Sequence, residues 1–184
     1  MTAGGRLFFA AALDDGTRAA LARHLSDALP DGVPGRGVAA ENWHLTLRFL
    51  GEIEPVAARA VAREVAGAVL GPPFAVSFGG LGAFPRPERA RVLWLGVDEG
   101  EAGLRRVAER LETAIRQAGL PAEPRPFSAH LTLSRLREPT DVRSLIRRAP
   151  PFGRRMQVTE VVLYRSHLGS GPTPYEAVER FPLG

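Results

Sequence analysis

Two histidine-bearing segments of the chain carry the residues best suited to chemistry. The tetrapeptide His-Leu-Thr-Leu occurs at residues 44–47 and again at residues 130–133. In a β-strand alternate side chains share a face, so His44 projects beside Thr46 and His130 beside Thr132, while the leucines point into a core. Near neutral pH one imidazole can accept a proton while another, still protonated, donates one. The duplicated motif therefore predicts general acid–base chemistry in a cleft shared by both segments.

The elements that must position these motifs repeat along the chain. The second motif follows the first by 86 residues (130 minus 44), and the same offset carries Phe8 to Trp94. Strands are predicted at residues 6–13, 43–50, 74–78, 92–97, 128–133, 157–164 and 175–181, and helices at 17–29, after Pro55, at 104–115 and near 141–148. Asp14 and Asp15 are candidate caps for the first helix. The pattern predicts a single α+β domain over residues 1–184, with two lobes related by an approximate twofold and an active-site cleft between them. Each lobe is expected to have an antiparallel sheet and outer helices.

The composition limits the classes of protein to which this chain can belong. There is no cysteine, which excludes disulfides, thiolate metal ligands and a nucleophilic thiol. All 24 basic residues are arginine, and the formal net charge is +4. That charge favours a polyanionic partner, although an arginine-rich chain without lysine is equally typical of GC-rich coding. The apolar stretch at residues 7–13 is too short to span a bilayer, so we expect a cytoplasmic protein with no membrane contact.

Two other interpretations of the histidines need weighing. Two histidines can bind zinc together with a carboxylate, but no third ligand stands at motif spacing, so neither a metal nor another cofactor is predicted. The chain could also be a non-catalytic RNA-binding module that uses its arginines as a phosphate clamp. Such a module would bind RNA ends with strong salt dependence and release no product. A monomer is expected, because no exposed apolar heptad appears.

Around the two motifs the sequence resembles the 2H phosphoesterases, and within them the RNA 2′,3′-cyclic phosphodiesterase family, also called 2′-5′ RNA ligases. The likeness covers nearly the whole chain. It includes Arg-Leu-Phe-Phe-Ala at 6–10, Glu-Asn-Trp-His-Leu-Thr-Leu-Arg-Phe-Leu-Gly at 41–51, Phe-Pro-Arg-Pro at 84–87, Arg-Val-Leu-Trp-Leu-Gly at 91–96, Gly-Pro at 171–172 before Tyr175, and Phe-Pro-Leu at 181–183. The family commonly has proline before the second motif, where this chain has Ala129. This departure removes a backbone constraint but no catalytic group.

The resemblance implies a bilobal α+β fold and metal-independent hydrolysis of a ribose 2′,3′-cyclic phosphate, on RNA or a nucleotide, to a 2′-phosphomonoester. By the family pattern His130 is the proton acceptor that activates water, and His44 is the proton donor to the departing 3′ oxygen. Thr46 and Thr132 would hold the non-bridging phosphate oxygens, and Arg135 would stabilise the added negative charge. Joining of 2′-5′ linked RNA is the reverse reaction through the same residues, and the sequence does not choose between the two directions.

Arg48 and Arg135 do not occupy equivalent positions, because the 86-residue offset carries Arg48 to Ser134. On a regular strand Arg135 faces away from His130, so it reaches the cleft only if the strand ends or bulges near Ser134. Further candidates for substrate contacts are Arg48, Phe84, Arg86 and Tyr175. The mixture of aromatic and arginine side chains around Phe84 suits base stacking and phosphate binding, although an exposed turn with solvated charges is the better explanation.

Three other residues are given structural rather than catalytic interpretations. Trp43 would face opposite His44 and is expected to pack in the core. His24 is expected on the surface of the first helix, and His167 in a loop that borders the cleft.

Overall fold

The computed structural model describes residues 5–167 and 175–184. Within these ranges the chain forms nine strands and four α-helices. In chain order they are β1 (Gly5–Ala12), α1 (Asp15–Ala28), β2 (Arg36–Gly37), β3 (His44–Ile53), α2 (Pro55–Gly67), β4 (Phe74–Phe84), β5 (Ala90–Glu99), α3 (Glu101–Gln117), β6 (His130–Thr140), α4 (Arg143–Arg148), β7 (Arg155–Val158), β8 (Glu160–Ser166) and β9 (Tyr175–Pro182). No helix in the described ranges is long and apolar enough to cross a membrane.

The nine described strands form one antiparallel sheet in the order β7-β4-β5-β6-β3-β1-β8-β9, with β2 paired to β6. Strands β3 and β6 are paired through Leu45 and Leu131. Apart from the short strand β2, the sheet therefore consists of two four-stranded halves that meet at a narrow junction around this leucine pair, which we call the seam. This mixed α+β architecture with two antiparallel halves confirms the predicted fold class.

Each half of the sheet contains strands from the other half of the sequence: β4 lies among β5, β6 and β7, and β8 and β9 lie beside β1 and β3. Strand β4 closes the first predicted repeat but pairs with β5, and β8 closes the second repeat but pairs with β1. The strand predicted over residues 157–164 is divided at Thr159 for the same reason, because β7 pairs with β4 and β8 with β1. The two lobes therefore exchange their last strands, which the element order alone did not indicate.

The helices pack on one face of the sheet, which we call the core face. Helices α1, α2 and α3 contribute to a main hydrophobic core that includes the seam residues Leu45 and Leu131, and α4 covers a smaller cluster around Leu93 and Leu136. Burying Leu45 and Leu131 on this face turns their polar strand neighbours to the opposite face.

Local sequence signals account for how the first and third helices form. Asp14 caps α1 as predicted, because its carboxylate accepts hydrogen bonds from the Thr17 N–H and hydroxyl, each at 2.7 Å. In α3 the apolar residues at helical spacing, Leu104, Val107, Leu111 and Ile115, are all buried. The helices thus pack beneath the seam.

Candidate functional site

The polar residues of the two motifs lie on the face of the sheet opposite the helices, which we call the cleft face. Since Leu45 is paired with Leu131, the antiparallel register sets each motif histidine opposite the threonine of the other motif. Directly opposite residues in such a ladder have Cβ atoms about 5 Å apart. The two rows across the seam are His44 with Thr132 and Thr46 with His130. Because 86 residues also separate the two paired leucines, the local twofold axis passes between them.

Both imidazoles are held by the same backbone contact. Nδ1 of His44 lies 2.7 Å from the carbonyl oxygen of Asn42, and Nδ1 of His130 lies 2.9 Å from the carbonyl oxygen of Ser128. A carbonyl oxygen can only accept, so Nδ1 carries the proton of each neutral ring and donates it. Nε2 is then the basic nitrogen of each ring. In His44 it lies 3.1 Å from Oγ1 of Thr46, whose hydroxyl donates to it.

A β-bulge in β6 brings Arg135 to the cleft face. The register between β6 and β5 shifts between Thr132 and Ser134, which makes Leu133 the extra residue. After this bulge Arg135 lies on the same face as Thr132, and its charge is close enough to both motif histidines to lower their pKa values. The bulge near Ser134, which Arg135 needs in order to reach the cleft, is therefore present.

An equivalent bulge in β3 has the opposite effect on Arg48. The register with β1 shifts at Leu47, which turns Arg48 to the core face and Phe49 to the cleft face. Arg48 is 9% exposed; its Nε lies 2.6 Å from a carboxylate oxygen of Glu112, and its Nη1 lies 3.6 Å from one of Glu123. Arg48, a candidate for substrate contact, thus lies away from the histidines and is neutralised by two carboxylates. Phe49, which the sequence reasoning did not select, lies on the cleft face instead of Arg48 and is 41% exposed.

Aromatic rings surround His44. Its ring centroid lies 4.9 Å from that of Phe8, 6.1 Å from that of Tyr164 and 5.3 Å from that of Tyr175, which meets it edge-on. Tyr175 was a candidate from the sequence, whereas Phe8 and Tyr164 were not. These rings exclude water from the imidazole on one side and leave apolar surface beside the seam.

A second aromatic pair lies beside His130. Phe84, a candidate from the sequence, meets the His130 ring edge-on at 5.0 Å, and the Trp94 centroid lies 6.3 Å away. The Trp94 ring covers Gly82, where an added Cβ would lie 2.1 Å from the indole. Phe8 and Trp94 are related by the 86-residue offset, and that relation is the signal by which the sequence could have assigned both to the site.

The other predicted residues lie outside the cleft face. Arg86 is exposed in the turn between β4 and β5, next to the end of the strand that carries Phe84. Trp43 is buried as predicted, and its indole N–H donates to the Val38 carbonyl at 3.0 Å. His24, which lies on α1, contacts the backbone carbonyl of Pro150. His167 lies 3.0 Å from the Glu176 carboxylate. The rest of the loop predicted around His167, residues 168–171, lies outside the described residues.

The surroundings of the two histidines disfavour their protonated forms. The pKa of His44 is lowered to about 4, chiefly by burial and also by the positive charges of Arg135 and of protonated His130, whereas the hydrogen bond to Asn42 acts to raise it. Burial and Arg135 likewise lower the pKa of His130, against the hydrogen bond to Ser128. At pH 7 the neutral form of both rings is therefore favoured.

The cleft face is chemically suited to an anion. Among residues 5–167 and 175–184, no three histidine, aspartate or glutamate side chains are arranged to hold a metal ion. Around the seam stand two hydroxyls, two imidazoles and a guanidinium, all of which can donate hydrogen bonds to a phosphate group. Of the functions considered from the sequence, phosphoester chemistry fits this set of donors.

Comparison with known proteins identifies relatives over nearly the full length. The model of the family described as the 2′-5′ RNA ligase superfamily matches residues 33–170. An RNA 2′,3′-cyclic phosphodiesterase of Escherichia coli is 34% identical over 179 residues, covering 97% of this chain and 96% of that protein. One from Aeropyrum pernix is 39% identical over 128 residues, covering 69% of this chain and 72% of that protein.

A solved structure agrees with these sequence matches. The crystal structure of E. coli LigT complexed with 3′-AMP matches with a TM-score of 0.81 and 32% identity, covering 98% of each chain. The family match alone spans both motif histidines, and the structural match extends over almost the entire chain. This chain therefore belongs to the 2′-5′ RNA ligase superfamily.

Proposed function

We propose that this protein hydrolyses the 2′,3′-cyclic phosphate at the end of an RNA or nucleotide to a 2′-phosphomonoester, with His130 as the base and His44 as the acid. The observation that carries the proposal is that two imidazoles lie on the cleft face at the seam, each bonded through Nδ1 to a backbone carbonyl. The relatives in E. coli and A. pernix bear the name of this activity, and LigT has been crystallised with a nucleotide.

The reaction requires one proton to be removed and another supplied. Nε2 of His130 takes a proton from water as the water oxygen bonds to phosphorus. The bond from phosphorus to the 3′ oxygen breaks, and this oxygen takes a proton from Nε2 of His44. The two histidines stand in different rows across the seam, which suits an in-line displacement. The 2′ oxygen keeps its bond to phosphorus, so the product is a 2′-phosphomonoester.

Hydroxyl and guanidinium groups stabilise the charge that develops on the phosphate. Thr46 and Thr132 donate to the non-bridging oxygens, and Arg135 supplies a charge-assisted donor from the next row. Protonation of His44 strengthens this arrangement, because its Nε2 no longer accepts from Thr46 and the threonine hydroxyl is free to donate to the phosphate.

Substrate binding must protonate His44, whose pKa is about 4. A bound phosphate anion favours the imidazolium and so raises this pKa. We expect the midpoint of the His44 ring titration, followed by nitrogen-15 NMR, to rise by at least about two pH units when a nucleoside 2′-monophosphate is bound. The fraction able to act as acid near pH 6 rises accordingly.

The control for this titration is the nucleoside without its phosphate. It fills the same aromatic surroundings but brings no charge, so the midpoint should stay near 4 or fall through further burial. An unchanged midpoint with the monophosphate bound would contradict His44 as the acid.

Aromatic side chains next to the histidines provide surfaces for the nucleoside. Tyr175 and Phe84 stand at the two ends of the histidine pair, and stacking on such rings is tolerant of base identity. We infer that Arg86, which is exposed in the turn beyond Phe84, contacts a phosphate that extends past the end of the cleft face. The chain is thereby suited to RNA ends of varied sequence.

A direct assay tests the proposed function. Purified protein is incubated in excess EDTA with adenosine 2′,3′-cyclic phosphate, and the 2′- and 3′-monophosphates are resolved chromatographically. We expect the 2′-monophosphate alone. Accumulation of the 3′-monophosphate would contradict the placement of His44 beside the 3′ oxygen. Absence of turnover, on this substrate and on an oligonucleotide, would favour the non-catalytic RNA-binding module.

Joining of RNA ends through a 2′-5′ linkage is the second candidate, and the superfamily match supports it. A 5′-hydroxyl in the position of the water would give its proton to His130 and attack the cyclic phosphate, and the 3′ oxygen would leave with a proton from His44, which forms a 2′-5′ linkage. Incubating an RNA that ends in a cyclic phosphate with one that begins in a 5′-hydroxyl, and sequencing the product, separates ligation from hydrolysis.

The protein is further proposed to act as a monomer in the cytoplasm. Both histidines, both threonines and Arg135 come from one chain, so one copy completes the site. Sedimentation at micromolar concentration is expected to give the mass of one chain, 19.8 kDa.

A further inference from the structure

A second arginine stands beside Arg135 at one end of the cleft face. In the short strand β2, Arg36 is the antiparallel partner of Arg135, and Gly37 is the partner of Ser134. Directly paired residues of an antiparallel ladder point to the same face. Arg36 therefore shares the cleft face with Arg135, and the two form a third row across the seam, roughly 7 Å beyond the row of His44 and Thr132.

The position of Arg36 is fixed by close backbone contacts. The N–H of Val38 donates to the Leu133 carbonyl at 2.7 Å. On the other side of Arg36, Gly35 has φ +81°, and an added Cβ there would lie 2.6 Å from the carbonyl oxygen of Arg135. Only glycine permits both this backbone conformation and this approach. The pairing of β2 with β6 therefore holds Arg36 at the cleft.

The charges of this arginine pair are not neutralised by the described residues. Arg36 and Arg135 are both exposed, and within residues 5–167 and 175–184 neither makes a hydrogen bond or ion pair through its side chain. Arg48 differs, since two carboxylates hold it on the core face. Like charges directly opposite each other destabilise a strand pair. An anion bound between the two guanidinium groups would attract both of them and so offset their mutual repulsion.

The direction of the reaction indicates which anion this is. Water attacks from the His130 side, so the 3′ oxygen and its ribose lie on the His44 side of phosphorus. The row of Arg36 and Arg135 is the next one beyond His44. An RNA chain continues from its terminal ribose through the 5′ carbon to the preceding phosphate, which would meet the cleft floor there.

We propose that Arg36 binds the internucleotide phosphate on the 5′ side of the terminal nucleotide, so that the enzyme prefers the cyclic-phosphate end of an RNA chain to a mononucleotide. This inference rests on the proposed function and specifies its substrate. Arg135 serves the reacting phosphate and Arg36 the phosphate before it.

The test compares two substrates that differ in the presence of this phosphate. Adenosine 2′,3′-cyclic phosphate lacks it, and the dinucleotide ApA with a 2′,3′-cyclic phosphate end contains it. We expect Arg36→Gln to lower the ratio of kcat/KM, dinucleotide over mononucleotide, by at least about tenfold, since a charged hydrogen bond is lost with only one of them. Arg36→Lys, which keeps a phosphate-binding charge, should keep most of the ratio.

A matched control removes the same charge elsewhere. Arg63 lies on α2 with its side chain 78% exposed, on the helix side of the sheet, and Arg63→Gln should leave kcat/KM for both substrates unchanged.

The salt dependence of the reaction adds a second measurement. For the dinucleotide, the slope of log kcat/KM against log salt concentration should become shallower by about 0.7 in Arg36→Gln, the value for one lost phosphate contact on a single strand.

The outcomes separate this inference from the proposed function. An unchanged ratio in Arg36→Gln overturns the inference, and so does an equal loss on both substrates, which would put Arg36 at the reacting phosphate. If wild-type protein turns over neither substrate, the proposed function fails. Binding of ApA 2′-phosphate against adenosine 2′-monophosphate then still reports on Arg36, and an equal affinity ratio in wild type and Arg36→Gln would overturn its role.

Discussion

Replacing His130 by alanine is expected to lower kcat for a nucleoside 2′,3′-cyclic phosphate by about 10³- to 10⁴-fold, at the upper end of the range for general acid–base groups. The reason is that water loses its proton acceptor, while Thr46, Thr132 and Arg135 continue to bind the phosphate. The change should therefore appear in kcat rather than in KM. Single-turnover measurements at pH 7 with enzyme in excess test this directly.

The control for the His130 substitution is another histidine on the same chain. His24→Ala removes an imidazole from the surface helix α1, outside the cleft, and should leave the rate unchanged. The double variant of His44 and His130 should lose less than the product of the two single losses, because both groups act in one displacement. A loss under tenfold in a folded His130→Ala protein would contradict its role as the base.

The His44→Ala variant is expected to lose about 10²- to 10⁴-fold on the ordinary substrate, yet to recover when the leaving group no longer needs a proton. A cyclic phosphate in which sulfur replaces the 3′ oxygen releases a thiolate, whose conjugate acid has a pKa near 8.5. On this substrate His44→Ala should fall within about tenfold of wild type, because only the protonation step is bypassed.

The sulfur substrate also distinguishes the two histidines from each other. His130→Ala should be equally impaired on the oxygen and sulfur substrates, since attack by water needs its base in both cases. If His130→Ala recovers and His44→Ala does not, the roles of acid and base are exchanged. If neither recovers, His44 serves phosphate binding rather than proton donation.

The two histidines could be predicted from sequence because the signal is local and repeated. Alternation within His-Leu-Thr-Leu sets each histidine beside its threonine without reference to any other strand. The separation of the motifs proved equal to that of the paired residues Leu45 and Leu131. The twofold inferred from an offset is thus present in the hydrogen-bonded register at the seam.

The two arginines after the motifs could not be assigned from sequence, because a bulge depends on the partner strand. The bulges at Leu47 and Leu133 occupy equivalent positions, but the chain places arginine directly after the first and one residue later after the second. The same backbone irregularity consequently buries Arg48 and brings Arg135 to the cleft. Strand alternation alone gives the wrong face for both arginines.

Pairing between distant strands accounts for the other differences from the sequence-based expectations. Residues 157–164 have the apolar composition of one strand, and nothing local indicates that Thr159 separates segments in different halves of the sheet. The partners of β7 and β8 lie in β4 and β1, far away along the chain. Arg36 escaped selection for a similar reason, since a two-residue strand has no periodicity of its own.

The exchange of β4 and β8 between the halves bears on how such a chain could have originated. A half-length ancestor with one His-x-Thr motif would have ended in a strand whose pairing partner lay outside its own fold. Two identical copies could satisfy each other by exchanging that strand, which gives a symmetric dimer with a leucine pair on its axis and one cleft made of two half-sites. Fusion of the copies would then have freed each side to diverge. Phe49 on one side and Arg135 on the other stand at positions related by the offset of the two motifs, so the two half-sites differ in chemistry there.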